Sequence, residues 1–256
     1  MEAGGETWTC TATRVCNNNK AHTETETVIA EYSITKPSTY KEDGVGTYSA
    51  VFENPGFSTQ TKEIPIPAIT CDGGEDCPSA RFTDIPGAED WTHLPIDWAV
   101  TNKITLGTSE TTFSPKENCT RGQFVTLLWR TMGSPEPETT DNPFKDVREG
   151  QYYYKAILWA YEKEISSGTS KTTFSPEASC SRAQVVTFLW RMEGSQEPSS
   201  TENPFADVPS DSYYWKPVLW AYEKGITSGT SATAFSPNKS CNRAEAITFL
   251  YREFAD

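Results

Sequence analysis

The sequence predicts a mainly α chain in which three helical repeats follow a small N-terminal all-β module. Three observations support this fold class. A motif that begins "CTRGQFVTLLWR" at Cys119 recurs at Cys180 and Cys241, at intervals of 61 residues, and a regular repeat of this kind indicates several small units. Apolar residues within the motif are spaced as on a helix. Residues 1–70 are instead rich in Thr, Val, Ile, Tyr and Phe between turn residues, which is typical of strands.

Composition excludes several classes of protein. The chain has 36% hydrophobic and 12% aromatic residues, enough to form a packed core, so a disordered chain is not expected. Its net charge of −13 argues against nucleic-acid binding, because such proteins cluster Lys and Arg on phosphates. The same charge argues against anionic membrane surfaces. No run of about 18 apolar residues occurs, so no membrane insertion is expected.

Residues 1–70 are expected to form the β module, and residues 71–80 a cysteine-containing linker. The segments "TVIAEYSIT", "GTYSAVFEN" and "TKEIPIPAI" have the composition of strands, and "NPG" supplies a turn. A sheet of few strands is marginal on its own, so a disulfide between Cys10 and Cys16 would stabilise it. We interpret the module as a spacer or a display unit.

The N-terminal third of the chain holds four of the seven cysteines. Cys71 and Cys77 lie in the glycine-rich loop "CDGGEDCPS", and Cys10 and Cys16 have the same separation, so these four are the disulfide candidates. Paired cysteines suggest export. A metal site formed by Cys10, Cys16 and His22 is the rival interpretation, but a fourth ligand is not evident. The sequence therefore predicts no metal site and no cofactor.

From residue 81 onward the chain repeats, with expected units at residues 81–134, 143–195 and 204–256. Each unit opens with Phe-x-Asp-Ile or Phe-x-Asp-Val, and an aromatic-rich first helix follows. In the next loop a glycine is expected to end that helix in a left-handed conformation. Polar connectors containing Pro and Ser join the units. The opening aspartates are Asp84, Asp146 and Asp207, and the loop glycines are Gly107, Gly168 and Gly229.

The repeated motif is predicted to form the second helix of each unit. Thr120 is a good N-cap residue, and Gln123 completes a capping box, in which each side chain satisfies a free backbone N–H. Arg130 is expected on the solvent face, and Cys119 is interpreted as a small buried apolar residue. The corresponding residues are Ser181, Gln184, Arg191 and Cys180 in the second repeat, and Asn242, Glu245, Arg252 and Cys241 in the third.

An arginine at the first helical position is not explained by these local rules. The helix macrodipole makes a cation there unfavourable by about 0.3–1 kcal/mol, and a count of about 100° per residue puts it on the apolar face. A buried arginine needs an anion or other acceptors. One alternative is an internal carboxylate from the aspartates named above; the other is an external anion, which the free N–H groups of the helix would also attract. The arginines are Arg121, Arg182 and Arg243.

Taken together, the Phe-x-Asp-Val opening, the aromatic helix, the Gly and Phe-x-Pro loop and the Thr-Arg-Ala-Glu motif resemble the S-layer homology family. Its repeats occur in threes at one end of exported bacterial surface proteins. The third unit is the most similar, over "GITSGTSATAFSPNKSCNRAE". The chain departs from the family pattern at Gln123 and Gln184, where the family has an acidic residue, and at Lys103 and Glu164, where it has glycine.

The resemblance implies a pseudo-threefold, three-pronged assembly of the helical repeats. It also implies grooves between neighbouring units that bind cell-wall polysaccharide carrying a pyruvate ketal, with Arg121, Arg182 and Arg243 on the ketal carboxylate. Aromatic residues of the first helices would line the grooves, although core packing is an equally good explanation for them. The groove-lining candidates are Trp91, Tyr152, Tyr213, Gly107, Gly168, Gly229, Asp84, Asp146 and Asp207.

The function expected from the sequence is non-covalent anchoring of a bacterial surface protein to the cell wall. An enzyme is not expected, because His22 and His93 lie in different modules without a nucleophile nearby. The alternatives are a surface adhesin that binds a host or bacterial protein, and a structural spacer with degenerate grooves. We expect a monomer outside the cell, at the wall or S-layer. The start "MEAGGETWTC" lacks a signal peptide, so we expect a longer exported protein.

Overall fold

A computed structural model of the chain describes residues 8–38 and 42–255. Residues 1–7, which are most of the start "MEAGGETWTC", lie outside these ranges. The described residues form two compact units, which divide between Thr70 and Cys71. We describe each unit by itself. None of the helices in the described ranges combines the length and the apolar character that a membrane span requires.

The first unit is built from antiparallel strands in two sheets. Strand β4 is the middle strand of the larger sheet, and its residues alternate between buried and half-buried, because successive side chains of a strand point to opposite faces. Tyr48 and Phe52 are buried, and the ring of Trp8 stacks on Tyr48 with centroids 5.1 Å apart. The hairpin pairs Thr9–Val15 (β1) with Thr23–Ile29 (β2), and the larger sheet is Glu31–Lys36 (β3), Gly44–Ala50 (β4) and Gln60–Ile66 (β5).

Two expectations about this unit need correction. The predicted strand "TVIAEYSIT" is broken at Ala30, where the chain leaves one sheet and enters the other. The disulfide between Cys10 and Cys16 is wrong: both are free thiols. Cys10 lies inside strand β1 and Cys16 directly after it, and six residues of extended strand span about 20 Å, whereas a disulfide needs Cα atoms within about 7 Å.

The second unit holds six helices within its described residues, two in each repeat. Packing joins the second helix of one repeat to the first helix of the next: α2 packs on α3, α4 on α5, and α6 returns to α1. Each repeat therefore covers apolar surface of its helices with its neighbour, while a pair of buried phenylalanines such as Phe82 and Phe113 packs within each repeat. The helices are His93–Thr101 (α1), Arg121–Thr131 (α2), Tyr154–Glu162 (α3), Arg182–Met192 (α4), Trp215–Glu223 (α5) and Arg243–Phe254 (α6).

The second helices begin at the predicted capping boxes. The Thr120 side chain accepts a hydrogen bond from the backbone N–H of Gln123, and the Gln123 side chain accepts one from the Thr120 N–H. Ser181 with Gln184, and Asn242 with Glu245, form the same pair of bonds. The three capping boxes are confirmed, because both partners lie within four residues of each other and the pattern is entirely local.

The first helices end earlier than the loop glycines suggested. Helix α1 ends at Thr101, and the left-handed residue that follows is Lys103, with φ 58°. Glu164 and Gly225 hold this position in the other repeats, with φ 57° and 73°. Gly107 and its equivalents lie four residues further on, where they too have positive φ but serve the loop and not the helix end.

The centre of the second unit is a ring of backbone hydrogen bonds between the three motif cysteines. Cys119 N donates to Cys241 O (2.9 Å), Cys180 N to Cys119 O (2.8 Å), and Cys241 N to Cys180 O (2.9 Å). All three side chains are fully buried. This agrees with their interpretation as small apolar residues, and burial raises the pKa of each thiol.

The predicted fold class is wrong. Among the described residues, six helices hold 25% of the residues, and five strands with their isolated bridges hold 18%. The chain is therefore of mixed α and β content and not mainly α, and the three-pronged assembly of helical repeats is not confirmed. The physical reason is that helices of 9–12 residues alternate with long turn-rich loops, and that the first unit is made of strands.

Candidate functional site

The three motif arginines are the first residues of α2, α4 and α6, and all are buried: Arg121 is only 3% exposed, Arg182 and Arg243 5%. The backbone N–H of Arg121 donates to Ala178 O, and that of Gly122 to Pro176 O. The other two helices make the same bonds. In α4 the N–H of Arg182 donates to Lys239 O and that of Ala183 to Pro237 O. In α6 the N–H of Arg243 donates to Glu117 O and that of Ala244 to Pro115 O.

These bonds change one expectation about the helix start. The N–H groups of the first two helical residues are taken by carbonyls of the next repeat, and the cap side chain takes that of the third. The helix N-terminus therefore has no free N–H groups in its first turn to offer an external anion, contrary to the sequence-based argument. The guanidinium group has to carry any recognition of an anion.

Each guanidinium reaches across to the next repeat. Arg121 Nε donates to Phe174 O at 3.0 Å, and the guanidinium carbon lies 4.7 Å from the centre of the Phe174 ring and 5.4 Å from that of Phe188. Stacking on aromatic rings stabilises a desolvated cation. Arg182 Nε donates in the same way to Phe235 O (2.9 Å), and Arg243 Nε to Phe113 O (2.9 Å).

Among the described residues, no hydrogen bond or ion pair joins these arginines to the opening aspartates, although the charges of Asp146, Asp207 and Asp84 act on Arg121, Arg182 and Arg243. Asp84 accepts the backbone N–H groups of Phe113 (2.8 Å) and Ser114 (2.7 Å) and so shapes the loop of its own repeat. Both carboxylate oxygens accept backbone N–H groups in this way, which holds the aspartate against the loop of its own repeat. Asp146 binds Phe174 and Ser175, and Asp207 binds Phe235 and Ser236.

Part of the Arg121 guanidinium remains without a partner. Its Nη2 is buried and has no hydrogen-bond partner among the residues that the structure describes. Arg182 differs, because its Nη1 lies 4.0 Å from Glu245 Oε1. Burial lowers the pKa of all three arginines, yet a guanidinium stays charged at neutral pH.

A cavity of about 380 Å³ opens beside Arg182, and it brings together residues of all three repeats. Arg182 comes from the second repeat, Gly229 from the third and Trp91 from the first. These are one arginine, one glycine and one aromatic of the predicted set. The sequence could name them but not their grouping, which depends on how the repeats pack.

Corresponding pairs exist at the other two arginines. Tyr213 lies close to Arg121, and Tyr152 lies close to Arg243. Trp91, Tyr152 and Tyr213 are 57%, 53% and 63% exposed, so core packing does not explain them. An exposed aromatic face beside a buried cation is available for stacking on a ligand.

The loop glycines have a structural role. Gly168 has φ 85°, and a Cβ at this position would come within 2.5 Å of the Phe144 ring and of Thr173 O. No larger residue fits without movement of the loop. Gly107 and Gly229 have the same surroundings in their own repeats.

The cavity also contains residues that the sequence did not single out. Lys239 and Arg252 line it; Arg252 is exposed, as predicted, whereas the equivalent Arg130 and Arg191 are half-buried. Arg252 Nη1 donates to Ile226 O at 3.1 Å, and thereby ties the second helix to the loop after the first. Arg130 and Arg191 make the same bond to Ile104 and Ile165. Their recurrence in every motif copy was a signal that could have identified them.

Comparison with known proteins places these features in context. An S-layer homology domain profile matches residues 81–125, 143–186 and 204–247, just over half of the chain. An endoglucanase of Bacillus sp. (strain KSM-635) is 36% identical over 119 residues, which are 46% of this chain and 12% of the relative. A cellulosome-anchoring protein of Acetivibrio thermocellus is 25% identical over 149 residues, 55% of this chain and 33% of the relative.

An S-layer protein of Bacillus licheniformis is 26% identical over 179 residues, 66% of this chain and 19% of the relative. The chain thus spans a third or less of the length of these relatives. Its expected location at the cell wall or S-layer agrees with relatives of this kind. Three matched repeats confirm the resemblance found in the sequence, and the chain belongs to the S-layer homology domain family.

Proposed function

We propose that the chain anchors a bacterial surface protein to the cell wall by binding acidic, pyruvate-bearing wall polysaccharide beside Arg121, Arg182 and Arg243. The family match and the anchoring and S-layer relatives support a cell-surface anchor. The observation that carries the finer proposal is the buried Nη2 of Arg121, which has no partner among the described residues. A buried donor of this kind is costly unless a ligand completes its hydrogen bonds.

A carboxylate is the ligand group that suits these arginines. Arg121 Nε is already used by Phe174 O, so the Nη groups are left to bind an anion. Guanidinium groups bind planar carboxylates through paired hydrogen bonds. The rings of Phe174 and Phe188 shield the cation from water, and electrostatic interactions are stronger in such surroundings.

Exposed aromatic residues provide the second element of the site. Trp91 lines the same cavity as Arg182, and it is more than half exposed. A sugar ring presents apolar C–H faces that pack on aromatic side chains in the same way as other half-apolar groups. One groove would thus hold a sugar against the aromatic residue and its ketal carboxylate against the arginine.

The grooves should not bind equally well. Arg121 packs on Phe188, four residues after Gln184, and Arg182 packs on Phe249, four residues after Glu245. Gln184 therefore occupies the same position relative to Arg121 as Glu245 occupies relative to Arg182. A glutamate here competes with an acidic ligand for the arginine, so the Arg121 groove is the strongest anion site in this proposal.

Several weak grooves can still hold a polymer firmly. When one groove is occupied, the others meet further copies of the same sugar at high effective concentration. Multivalent binding of this kind would let a monomeric chain act as an anchor without catalytic activity. In this proposal the anchoring part comprises repeats at residues 81–134, 143–195 and 204–256, joined through residues 71–80 to a spacer or display module at residues 1–70.

The proposal is tested by co-sedimentation with purified cell walls. Arg121→Ala should weaken binding by about tenfold or more, because a hydrogen bond to a charged group contributes about 1.5–3 kcal/mol. The exposed Arg148 provides the matched control, and Arg148→Ala should leave binding unchanged. Thermal unfolding of each variant shows whether the fold is intact.

Treatment of the walls offers a second arm that leaves the protein unaltered. Chemical removal of pyruvate should abolish binding of the unmodified chain. Binding that survives both this treatment and the triple change Arg121→Ala, Arg182→Ala and Arg243→Ala would contradict the proposal. If that residual binding were to a protein and required residues 1–70, the adhesin alternative would replace it.

A further inference from the structure

Four potential metal ligands converge beside the first repeat, outside the grooves. The Sγ atoms of Cys71 and Cys77, a ring nitrogen of His93 and a carboxylate oxygen of Asp97 all lie within 4.8 Å of one another. The cysteines flank a glycine-rich loop, and the other two residues are one turn apart on α1. The sequence interpretation treated the cysteines only as a disulfide and gave His93 no role.

The carboxylate of Asp97 is the most unusual feature of this cluster. Asp97 is 0% exposed. Its Oδ1 accepts hydrogen bonds from the backbone N–H and the hydroxyl of Ser79. Its Oδ2 has no hydrogen-bond partner in the described part of the chain, and it lies 3.4 Å from His93 Nε2. A buried carboxylate oxygen is costly unless a cation or donor faces it.

His93 cannot supply that donor in its neutral form. Its Nδ1 lies 2.8 Å from Pro86 O, and a carbonyl only accepts, so the ring proton is on Nδ1. The lone pair of Nε2 then points to Cys71 Sγ at 3.4 Å and to Asp97 Oδ2 at 3.4 Å. Either a proton on Nε2 or a metal cation between these atoms would satisfy the Asp97 oxygen.

We propose that Cys71, Cys77, His93 and Asp97 form a zinc site when the two cysteines are reduced. Zinc takes four ligands at the corners of a tetrahedron, at about 2.3 Å from sulfur and about 2.0–2.1 Å from nitrogen and oxygen, which sets neighbouring ligand atoms about 3.3–3.8 Å apart. The two 3.4 Å separations fit this geometry; the other ligand atoms lie within 4.8 Å of one another and would adjust once the disulfide opens. Two thiolates with one imidazole favour zinc over magnesium or calcium.

The surroundings supply the outer contacts that such sites use. A metal-bound histidine usually donates its other N–H to a carbonyl or carboxylate, and a metal-bound carboxylate accepts a second hydrogen bond. Pro86 O and Ser79 do this for His93 and Asp97. Four ligands complete the coordination, so the site is structural, and it ties the loop before the first repeat to α1.

In the structure Cys71 and Cys77 form a disulfide, so the metal site is the second state of this cluster. A dithiol reductant supplies the two electrons that cleave the S–S bond; it becomes a disulfide itself and transfers two protons to the cysteines. Zn²⁺ then displaces these two protons and binds the two thiolates. The bonds from zinc to His93 Nε2 and Asp97 Oδ2 form without a covalent bond being broken.

Metal analysis of the full chain tests the site. After reduction with a phosphine, incubation with Zn²⁺ and removal of excess metal, one zinc per chain should remain by elemental analysis. Cys71→Ser, Cys77→Ser and Asp97→Asn should each lose it. The matched control is the double change Cys10→Ser and Cys16→Ser, which removes the two free thiols of the first unit and should retain the metal.

Cobalt gives a readout that does not depend on variants. Co²⁺ bound to the reduced chain should show the intense visible absorption of a tetrahedral site and a sulfur-to-metal charge-transfer band. An octahedral spectrum without that band would overturn the proposal. The proposal would also be overturned if the reduced chain held no more zinc than the oxidised chain. The cluster would then be a disulfide beside a histidine–aspartate ion pair.

Discussion

The residue opposite each groove arginine sets the local charge of that groove. Glu245 Oε1 is 3.1 Å from Lys239 Nζ and 4.0 Å from Arg182 Nη1, and its side chain is largely buried. Gln184 holds the equivalent place at Arg121. Either residue completes the capping box, so the exchange of one for the other changes charge with little effect on the helix.

We expect Glu245→Gln to tighten binding of an acidic wall fragment and Gln184→Glu to weaken it. At an effective dielectric of about 20, removing or adding one nearby charge alters the free energy of binding of an acidic ligand by on the order of 1 kcal/mol or more. This corresponds to a several-fold change in affinity. Isothermal titration at two salt concentrations measures the change. Unchanged unfolding temperatures would show that the caps are intact, and equal affinities of both variants would contradict the charge argument.

The three central thiols predict a loss of stability at alkaline pH. Burial raises the pKa of Cys119 to about 12 and raises those of Cys180 and Cys241 well above the ordinary value of 9.0. In the unfolded chain the thiols ionise near pH 8.5, so above this pH the unfolded state releases protons that the folded state keeps. The free energy of unfolding therefore falls as pH rises from about 9 to 12 and is unaffected by these thiols below pH 8.

Urea unfolding between pH 8 and pH 11 measures this slope. Cys119→Ala should reduce the slope, even though the cavity it creates lowers stability at every pH. The same change at the exposed Cys16 should leave the slope as it was. An identical slope in both variants would count against the role of the buried thiols.

The arginines show what the sequence could and could not predict about a residue. Its local rules identified Arg121 as a misfit, since a cation at a helix start on an apolar face needs a special partner. They could not identify that partner, because Phe174 is 53 residues away in the chain and Phe113, the partner of Arg243, is 130 residues away. A partner that depends on how repeats pack carries no local signal.

At the scale of elements, the ends of the first helices carry strain in two repeats. Lys103 and Glu164 have left-handed backbones where the third repeat has Gly225. All three are exposed, and a Cβ at Gly225 would meet nothing within 4 Å. Backbone conformation is therefore the main difference between them, and a residue with a side chain costs about 1–2 kcal/mol in this region.

We expect Gly225→Ala to lower the free energy of unfolding by about 1 kcal/mol. Lys103→Gly and Glu164→Gly should raise it by somewhat less, because glycine loses more backbone entropy on folding. Urea unfolding of the three variants measures these changes. The neighbouring Lys163, which is exposed and not left-handed, is the control: Lys163→Gly should destabilise. A stabilising Gly225→Ala would show that the helix end is not strained.

Elements with local signals were predicted well, and the others were not. The second helices and their caps followed from residues within four positions of one another. Strand β1 was missed, because its pairing with β2 depends on residues such as Thr9 and Ile29 that are 20 positions apart. Cys10 and Cys16 suggested a disulfide for a related reason. Their separation in the sequence does not reveal that an extended strand, β1, holds them apart in space.

At the scale of the repeat unit, the closed order of contacts matters most. Each repeat packs its second helix on the next repeat, and the third returns to the first through α6 and α1. The ring of Trp98 meets that of Tyr251 edge to face at 5.8 Å, across this closing contact. A linear array of repeats has terminal units that contact one neighbour, whereas here each repeat contacts two.

Loss of one repeat should therefore unfold the other two. A chain that ends at residue 195 lacks Cys241, whose carbonyl accepts the Cys119 N–H, and lacks Arg243, which binds Phe113 O. Each buried group left unpaired costs about 1–3 kcal/mol, and α1 would also expose the face that packs on α6. These losses approach the total stability of a typical domain, about 5–15 kcal/mol. Hydrogen exchange by mass spectrometry should show protection of α1 to α4 in the full chain and none in the shortened one. Protection of α2 and α3 in residues 1–195, at the level of the full chain, would mean that the repeats are stable as a linear pair and that ring closure contributes little.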